Sequence, residues 1–152
     1  MIVVDASVLA WLWLPGEMSD LAEAALKKDS EWAAPVVWRS EFRNFLSEFV
    51  RRGEIGEIDA LKVMEGAELL LRGQEYAVPS DRVMQLAKKS ERSAYDCEFV
   101  VLAEDLGAPF VTSDESLAGA FPELAMHLRD FVTSADGPPV AAESGKPKWR
   151  KS

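Results

Sequence analysis

The sequence predicts an α/β sandwich built on a mainly parallel central sheet, and three observations carry that prediction. Short apolar segments alternate along the chain with longer segments of helical period. The first of the short ones, Ile2-Val3-Val4, is continuously apolar and β-branched, as strands buried on both faces are. With 152 residues and 48% hydrophobic content, one domain has enough apolar material to close a core without staples.

The elements follow in order. Ile2 to Val4 is a strand that stops at Asp5, and Ser7 to Leu14 reads as a short helix ended by Pro15-Gly16. Met18 to Lys28 is a second helix, with Ser19 and Asp20 at its start and Lys27-Lys28 in its last turn, the order its dipole favours. Glu31 to Ala34 reads as a strand ahead of Pro35. Val36 to Arg52 is the strongest helix, because Trp38, Phe42, Phe45, Leu46 and Phe49 recur at helical spacing before Gly53. Glu41 falls at the edge of that stripe, so its carboxylate is half-buried and needs a partner or a cleft. Ile58 to Leu71 is a helix closed by Arg72-Gly73, Glu75 to Val78 a short strand, and Ser80 to Lys89 a helix. Ala94 to Leu106 is the next helix, with Tyr95, Phe99, Val100, Leu102 and Ala103 available for packing and Gly107 as its C-cap. Pro109 to Thr112 is a strand, Ser113-Asp114 opens a short helix, and Met126 to Leu128 is a last strand.

From about Ser134 the composition changes to Pro138-Pro139 and a run of Lys146, Lys148, Trp149, Arg150 and Lys151. The sequence therefore divides into a folded domain over 1–133 and a flexible Pro/Lys-rich tail over 134–152. The tail holds four of the 17 basic and two of the 26 acidic residues; the remaining 13 and 24 give the body a charge of −11 within a total of −9.

Composition excludes several chemistries. One cysteine, Cys97, and one histidine, His127, rule out an internal disulfide and multi-cysteine or multi-histidine metal sites. Nothing around either residue marks a nucleophile. The apolar run over 2–15 lacks a basic start, carries Asp5, and is too short to span a bilayer, which predicts a cytoplasmic protein with no membrane partner. The acidic balance is unusual for a nucleic-acid binder; it fits either a carboxylate cluster that takes metal ions or simple solubility.

Four acids stand at element ends. Asp5 closes the first strand, and Asp114 lies two residues past Thr112; if these strands are parallel neighbours, both acids emerge at one edge of the sheet. Asp96 lies in the first turn of its helix after Ser93, and Glu41 early in its own. Each has an ordinary alternative. Asp5 and Asp114 suit N-caps, Ser93 to Asp96 resembles a capping box, and Glu41 has Arg39, Arg43 and Arg51 for neighbours. Four carboxylates meeting at one edge would repel, however, and hard divalent cations relieve that conflict; Mg²⁺ suits a site shared between carboxylates and a phosphate. Phosphodiester hydrolysis is the reaction that uses such a site.

Four segments together resemble a known family: Met1 to Ser7 with Asp5 at its centre, Trp38 to Asn44 around Glu41, Tyr95-Asp96 with Val101 to Gly107, and Val111-Thr112-Ser113-Asp114. In order and spacing they are similar to PIN-domain proteins, and most similar to the VapC toxins of type II toxin–antitoxin systems, over residues 1 to about 131. The resemblance implies a PIN-like α/β/α sandwich and an endoribonuclease dependent on Mg²⁺ or Mn²⁺. It also implies a homodimer, an RNA substrate such as tRNA or rRNA, and inhibition by a cognate antitoxin. By position it assigns Asp5, Glu41, Asp96 and Asp114 to the acidic metal site, and Ser7, Asn44 and Ser113 to its support. Asp5 is then the central ligand, with Asp96 and Asp114 completing the first shell or holding its waters; Glu41 is either a ligand or the base for the attacking water. Glu98 lies near in sequence but 200° from Asp96 around the helix, and is left out. Arg39, Arg43, Arg51, Arg52 and Arg92 are candidates for RNA phosphates. Trp11, Trp13 and Trp38 lie in apolar runs that suit core or dimer interface, while Trp149 in the tail is freer to stack on bases. The competing readings are a catalytically silent PIN-fold binding or regulatory module, a receiver-like phosphotransfer domain, which lacks its late strand-end lysine here, and a DNA-directed nuclease.

Overall fold

The structure, a computed structural model, describes residues 1–135. All but the first two residues of the expected tail, Trp149 among them, lie outside the described residues. Five short strands, β1 (Ile2–Val4), β2 (Trp32–Pro35), β3 (Glu75–Tyr76), β4 (Phe110–Thr112) and β5 (Ala125–His127), form one sheet in the order β3-β2-β1-β4-β5. Every pairing is parallel. The continuous apolar run of β1 fits its central place, with all three residues buried between neighbours on both edges.

Among the described residues, eight helices accompany the strands: α1 (Ala6–Trp13), α2 (Ser19–Lys28), α3 (Trp38–Arg51), α4 (Glu57–Leu70), α5 (Ser80–Ser90), α6 (Ala94–Leu106), α7 (Glu115–Ala120) and, after the last strand, α8 (Leu128–Thr133). Helix α6 lies along β1, β2 and β4 with α5 behind it. Helix α2 packs on both α1 and α8, α1 meets β1 and β4, and α8 meets β4 and β5, which completes an α/β/α sandwich. Trp32, Trp38, Phe42, Phe99 and Phe110 are the largest fully buried side chains, and the Phe99 and Phe110 rings stack with centroids 5.6 Å apart. Gly107 ends α6 at φ 61°, a left-handed turn that glycine adopts without steric cost.

The differences from sequence expectation lie at element ends. The turn at Val36 and Val37 delays α3 to Trp38. The third strand stops at Tyr76, short of Val78 and of Pro79, which has no N–H to give a ladder. The last strand spans Ala125–His127, and Leu128 opens α8, which sequence reading did not anticipate. The cause is a cap made by an unusual residue: His127 Nδ1 accepts the N–H of Arg129 at 3.0 Å.

Candidate active site

The order of the strands fixes where the acids emerge. Val4 pairs with Val111 across β1 and β4, so Asp5 leaves the sheet beside Thr112, the last residue of β4. This is where the chain turns from one half of the sheet to the other, the position at which open parallel sheets bind ligands.

Asp5 is buried, 7% exposed, and held on three sides. Ser7 Oγ donates to Oδ1 at 2.5 Å, the Val8 N–H donates to the same oxygen at 3.2 Å, and Thr112 Oγ1 donates to Oδ2. Burial pushes the Asp5 carboxyl up; the three hydrogen bonds oppose that rise, and the charge of Asp114 adds to it. Asp114 accepts the Leu117 N–H at 3.1 Å and caps α7, while its own N–H donates to Thr112 Oγ1 at 3.1 Å. Ser93 Oγ accepts the Asp96 N–H at 3.1 Å and caps α6. The capping uses of Asp5 and Asp114 are therefore both real, and neither removes its carboxylate from the cluster.

Glu41 is half-buried on α3, and its carboxyl is pushed up to about 7 by burial first and then by the charges of Asp5, Asp96 and Glu98. The four acids therefore form one electrostatic group, with Asp114 acting on Asp5, and Asp5 and Asp96 on Glu41. Arg39, a neighbour of Glu41 in sequence, is engaged elsewhere. Its guanidinium binds Glu75 Oε1 at 2.6 Å and Oε2 at 2.9 Å, and Glu68 at 2.8 Å.

Two supporting hydroxyls stand in line. Ser113 Oγ donates to Ser7 Oγ at 2.7 Å, and Trp11 Nε1 donates to Ser113 Oγ at 3.2 Å. Asn44 is exposed on α3 and donates to Glu48 at 3.4 Å, along its own helix rather than into the acids. Of the other candidate arginines, Arg52 pairs with Glu54 at 3.3 Å over the Phe49 ring, Arg43 and Arg51 are exposed, and Arg92 meets Asp96 at 3.4 Å.

Three residues of this site escaped sequence reasoning. Glu98 is half-buried, its own carboxyl is raised by burial, and its charge acts on Glu41. The available signal was a carboxylate set between Cys97 and Phe99 with Ala94 and Leu102, rather than a base, one turn away on either side. Thr112 showed itself only as a hydroxyl two residues before Asp114. Trp11, expected in core or interface, is partly buried against the core and also donates into the hydroxyl line.

The sequence profile of the PIN domain matches residues 2–120. The chain belongs to the PIN-domain family. It is 35% identical over 128 residues to Ribonuclease VapC3 of Pyrobaculum aerophilum, a match that spans 81% of this chain and 96% of that protein. This relatedness places it with the VapC-like members of the PIN family. The crystal structure of PAE2754 from Pyrobaculum aerophilum has the same fold, with a TM-score of 0.69 at 21% identity over 86% of this chain and 92% of that one.

The donor set of this PIN domain fits a hard divalent cation. Asp5, Glu41, Asp96 and Asp114 offer only oxygen, and Glu41 carries the unrelieved repulsion of its neighbours, which a cation would cancel. Among the described residues, no three acids, histidines or cysteines are yet gathered at the spacing that holds an ion.

Proposed function

We propose that this PIN domain is a VapC-type toxin: an endoribonuclease that hydrolyses RNA phosphodiester bonds with Mg²⁺ or Mn²⁺ and is silenced by a cognate antitoxin. The observation that supports the reading is Glu41, a half-buried carboxyl raised to about 7 by its burial and then by the charges of Asp5, Asp96 and Glu98, with Asp5 at the switch point between β1 and β4. Asp5, Asp96 and Asp114 would hold the ion, and Asp5, fixed by Ser7 and Thr112, would be the central ligand. A divalent ion held there would supply a water of lowered pKa and positive charge to stabilise the leaving oxygen. Glu41 would be a further ligand or the base that takes the proton of the attacking water, as a carboxylate freed of its own proton once a cation offsets the neighbouring charges. Ser113 supports Ser7, and Ser7 fixes the Asp5 oxygen it donates to.

The same reading includes a homodimer, a structured RNA such as tRNA or rRNA as substrate, a cytoplasmic location, and a nuclease domain over 1–133 followed by a separate tail. Among the described residues, no helix is long and apolar enough to cross a membrane. Antitoxin-free protein incubated with total RNA should yield discrete fragments with Mg²⁺ or Mn²⁺, none with EDTA, and none from Asp5→Asn. A folded protein that cleaves no RNA with either metal would favour the silent PIN-fold binding module.

A further inference from the structure

A cavity of about 300 Å³ opens beside the acids, lined by Ser7, Trp11, Leu14, Phe45, Phe49 and Ser113 among others. It lies between α1 and α3, and its volume is at the lower end of those that hold small ligands. Its walls are three aromatic rings. Its polar edge is the pair of hydroxyls whose hydrogen bonds lead from Trp11 Nε1 through Ser113 Oγ and Ser7 Oγ to Asp5 Oδ1. Every proton in that line points towards Asp5. Ser7 Oγ already accepts the Ser113 hydroxyl at 2.7 Å and its N–H at 3.4 Å, and Ser113 Oγ accepts only the indole, so one lone pair of Ser113 remains for an N–H donor. The indole itself is held in place: a Cβ added at Gly16 would lie 1.8 Å from Trp11 Cζ3, so the Gly16 backbone covers that end of the ring.

We infer that this cavity is a nucleobase pocket, which takes an unstacked base next to the phosphodiester bond that the acids cut. The inference rests on the ribonuclease reading and deepens it. Rings that stack on any base, an acceptor that meets a base-edge N–H, and a wall one hydrogen bond from the central acid are what a splayed nucleotide requires. Ser7 belongs to both the pocket and the Asp5 support, so a phosphate at the acids delivers its neighbouring base to Trp11. The pocket therefore selects unpaired RNA, because a base within a duplex does not reach it.

The test separates this inference from the ribonuclease reading. The protein, labelled with fluorotryptophan and kept in EDTA, is titrated with single-stranded RNA hexanucleotides of each base and with an abasic hexanucleotide. Fluorine NMR follows the five tryptophans, with the Trp11 signal assigned by its loss in Trp11→Phe, and anisotropy reports binding itself. The expected result is a saturable shift of Trp11 with base-bearing RNA and none with abasic RNA. Base-bearing RNA should also bind about ten- to a hundredfold tighter than abasic RNA, as a single base stack provides, and Trp11→Ala should abolish that difference. RNA that binds without moving Trp11, or an abasic strand that moves it equally, overturns the pocket and leaves the ribonuclease reading standing. A Trp11 signal that responds only to protein concentration or to an antitoxin peptide overturns it too, and assigns the cavity to a protein partner. Failure of every strand to bind overturns the pocket, and cleavage of the same strands on addition of Mn²⁺ then decides the ribonuclease reading separately.

Discussion

Asp5 has two duties that ordinarily compete. It caps α1 through the Val8 N–H and its charge acts on Glu41, while Thr112 donates to its second oxygen. Thr112→Val keeps shape and removes that donor. It should lower stability by about 1 kcal/mol and reduce RNA cleavage further than the stability loss explains, as measured by denaturant unfolding beside a cleavage assay. Arg39 shows the opposite case, a charge near the site with a structural use. Its fork on Glu75 holds that carboxyl below the usual carboxylate range, aided by the Trp38 indole at 2.6 Å. A carboxyl depressed in the folded state contributes stability above its unfolded pKa, and that contribution is lost as pH falls through the folded pKa. Arg39→Met should therefore cost about 3 kcal/mol at neutral pH and move the acid unfolding midpoint upward, both readable by circular dichroism. From the sequence, Arg39 was one of five equivalent candidates for RNA, because nothing local reveals that Glu75, 36 residues away, lies opposite it.

The elements were legible where punctuation set their ends. Gly107 and Ser93 bound α6 as their residue types predict, since a left-handed cap wants glycine and an N-cap wants a short hydroxyl. Ser93→Ala should cost about 1 kcal/mol, seen as a lower melting temperature, because the Asp96 N–H then has no side-chain acceptor. Helix α8 was not legible: its cap is a histidine, a rare choice, and its anchor is remote. Lys28 at the end of α2 donates to the Phe131 carbonyl at 2.6 Å and sits 4.8 Å from the Phe131 ring centroid, a contact that only the folded layers bring about. Glu98 was missed for a related reason. An angle around one helix says which residues share its face, but Glu41 approaches from α3 and feels the charge of α6 on two sides of that face.

At the scale of the whole molecule, the strand order does what no single motif does. Placing β1 between β2 and β4 gathers ends that are about a hundred residues apart in sequence, as the Thr112 bond to Asp5 shows. The alternation of strands and helices made that sheet predictable, and the four acids at element ends made its edge suspect. The aromatic pocket at the same edge needed the packing of α1 on α3. The acid group also gives the molecule a pH signature. Glu41 is raised from 4.5 to about 7, so the folded state binds more protons than the unfolded state across that window. Metal-free stability should fall as pH rises from 4.5 to 7, and a bound cation should reverse the trend.

Calorimetric titration of Mn²⁺ into the antitoxin-free protein at pH 7, in two buffers of different ionisation enthalpy, tests the central claim most directly. The account predicts binding with release of at least about half a proton, since Glu41 is half protonated there. It further predicts that Glu41→Gln releases fewer protons and that Asp5→Asn loses the ion. Absence of Mn²⁺ binding, or binding that both substitutions leave unchanged, would contradict it.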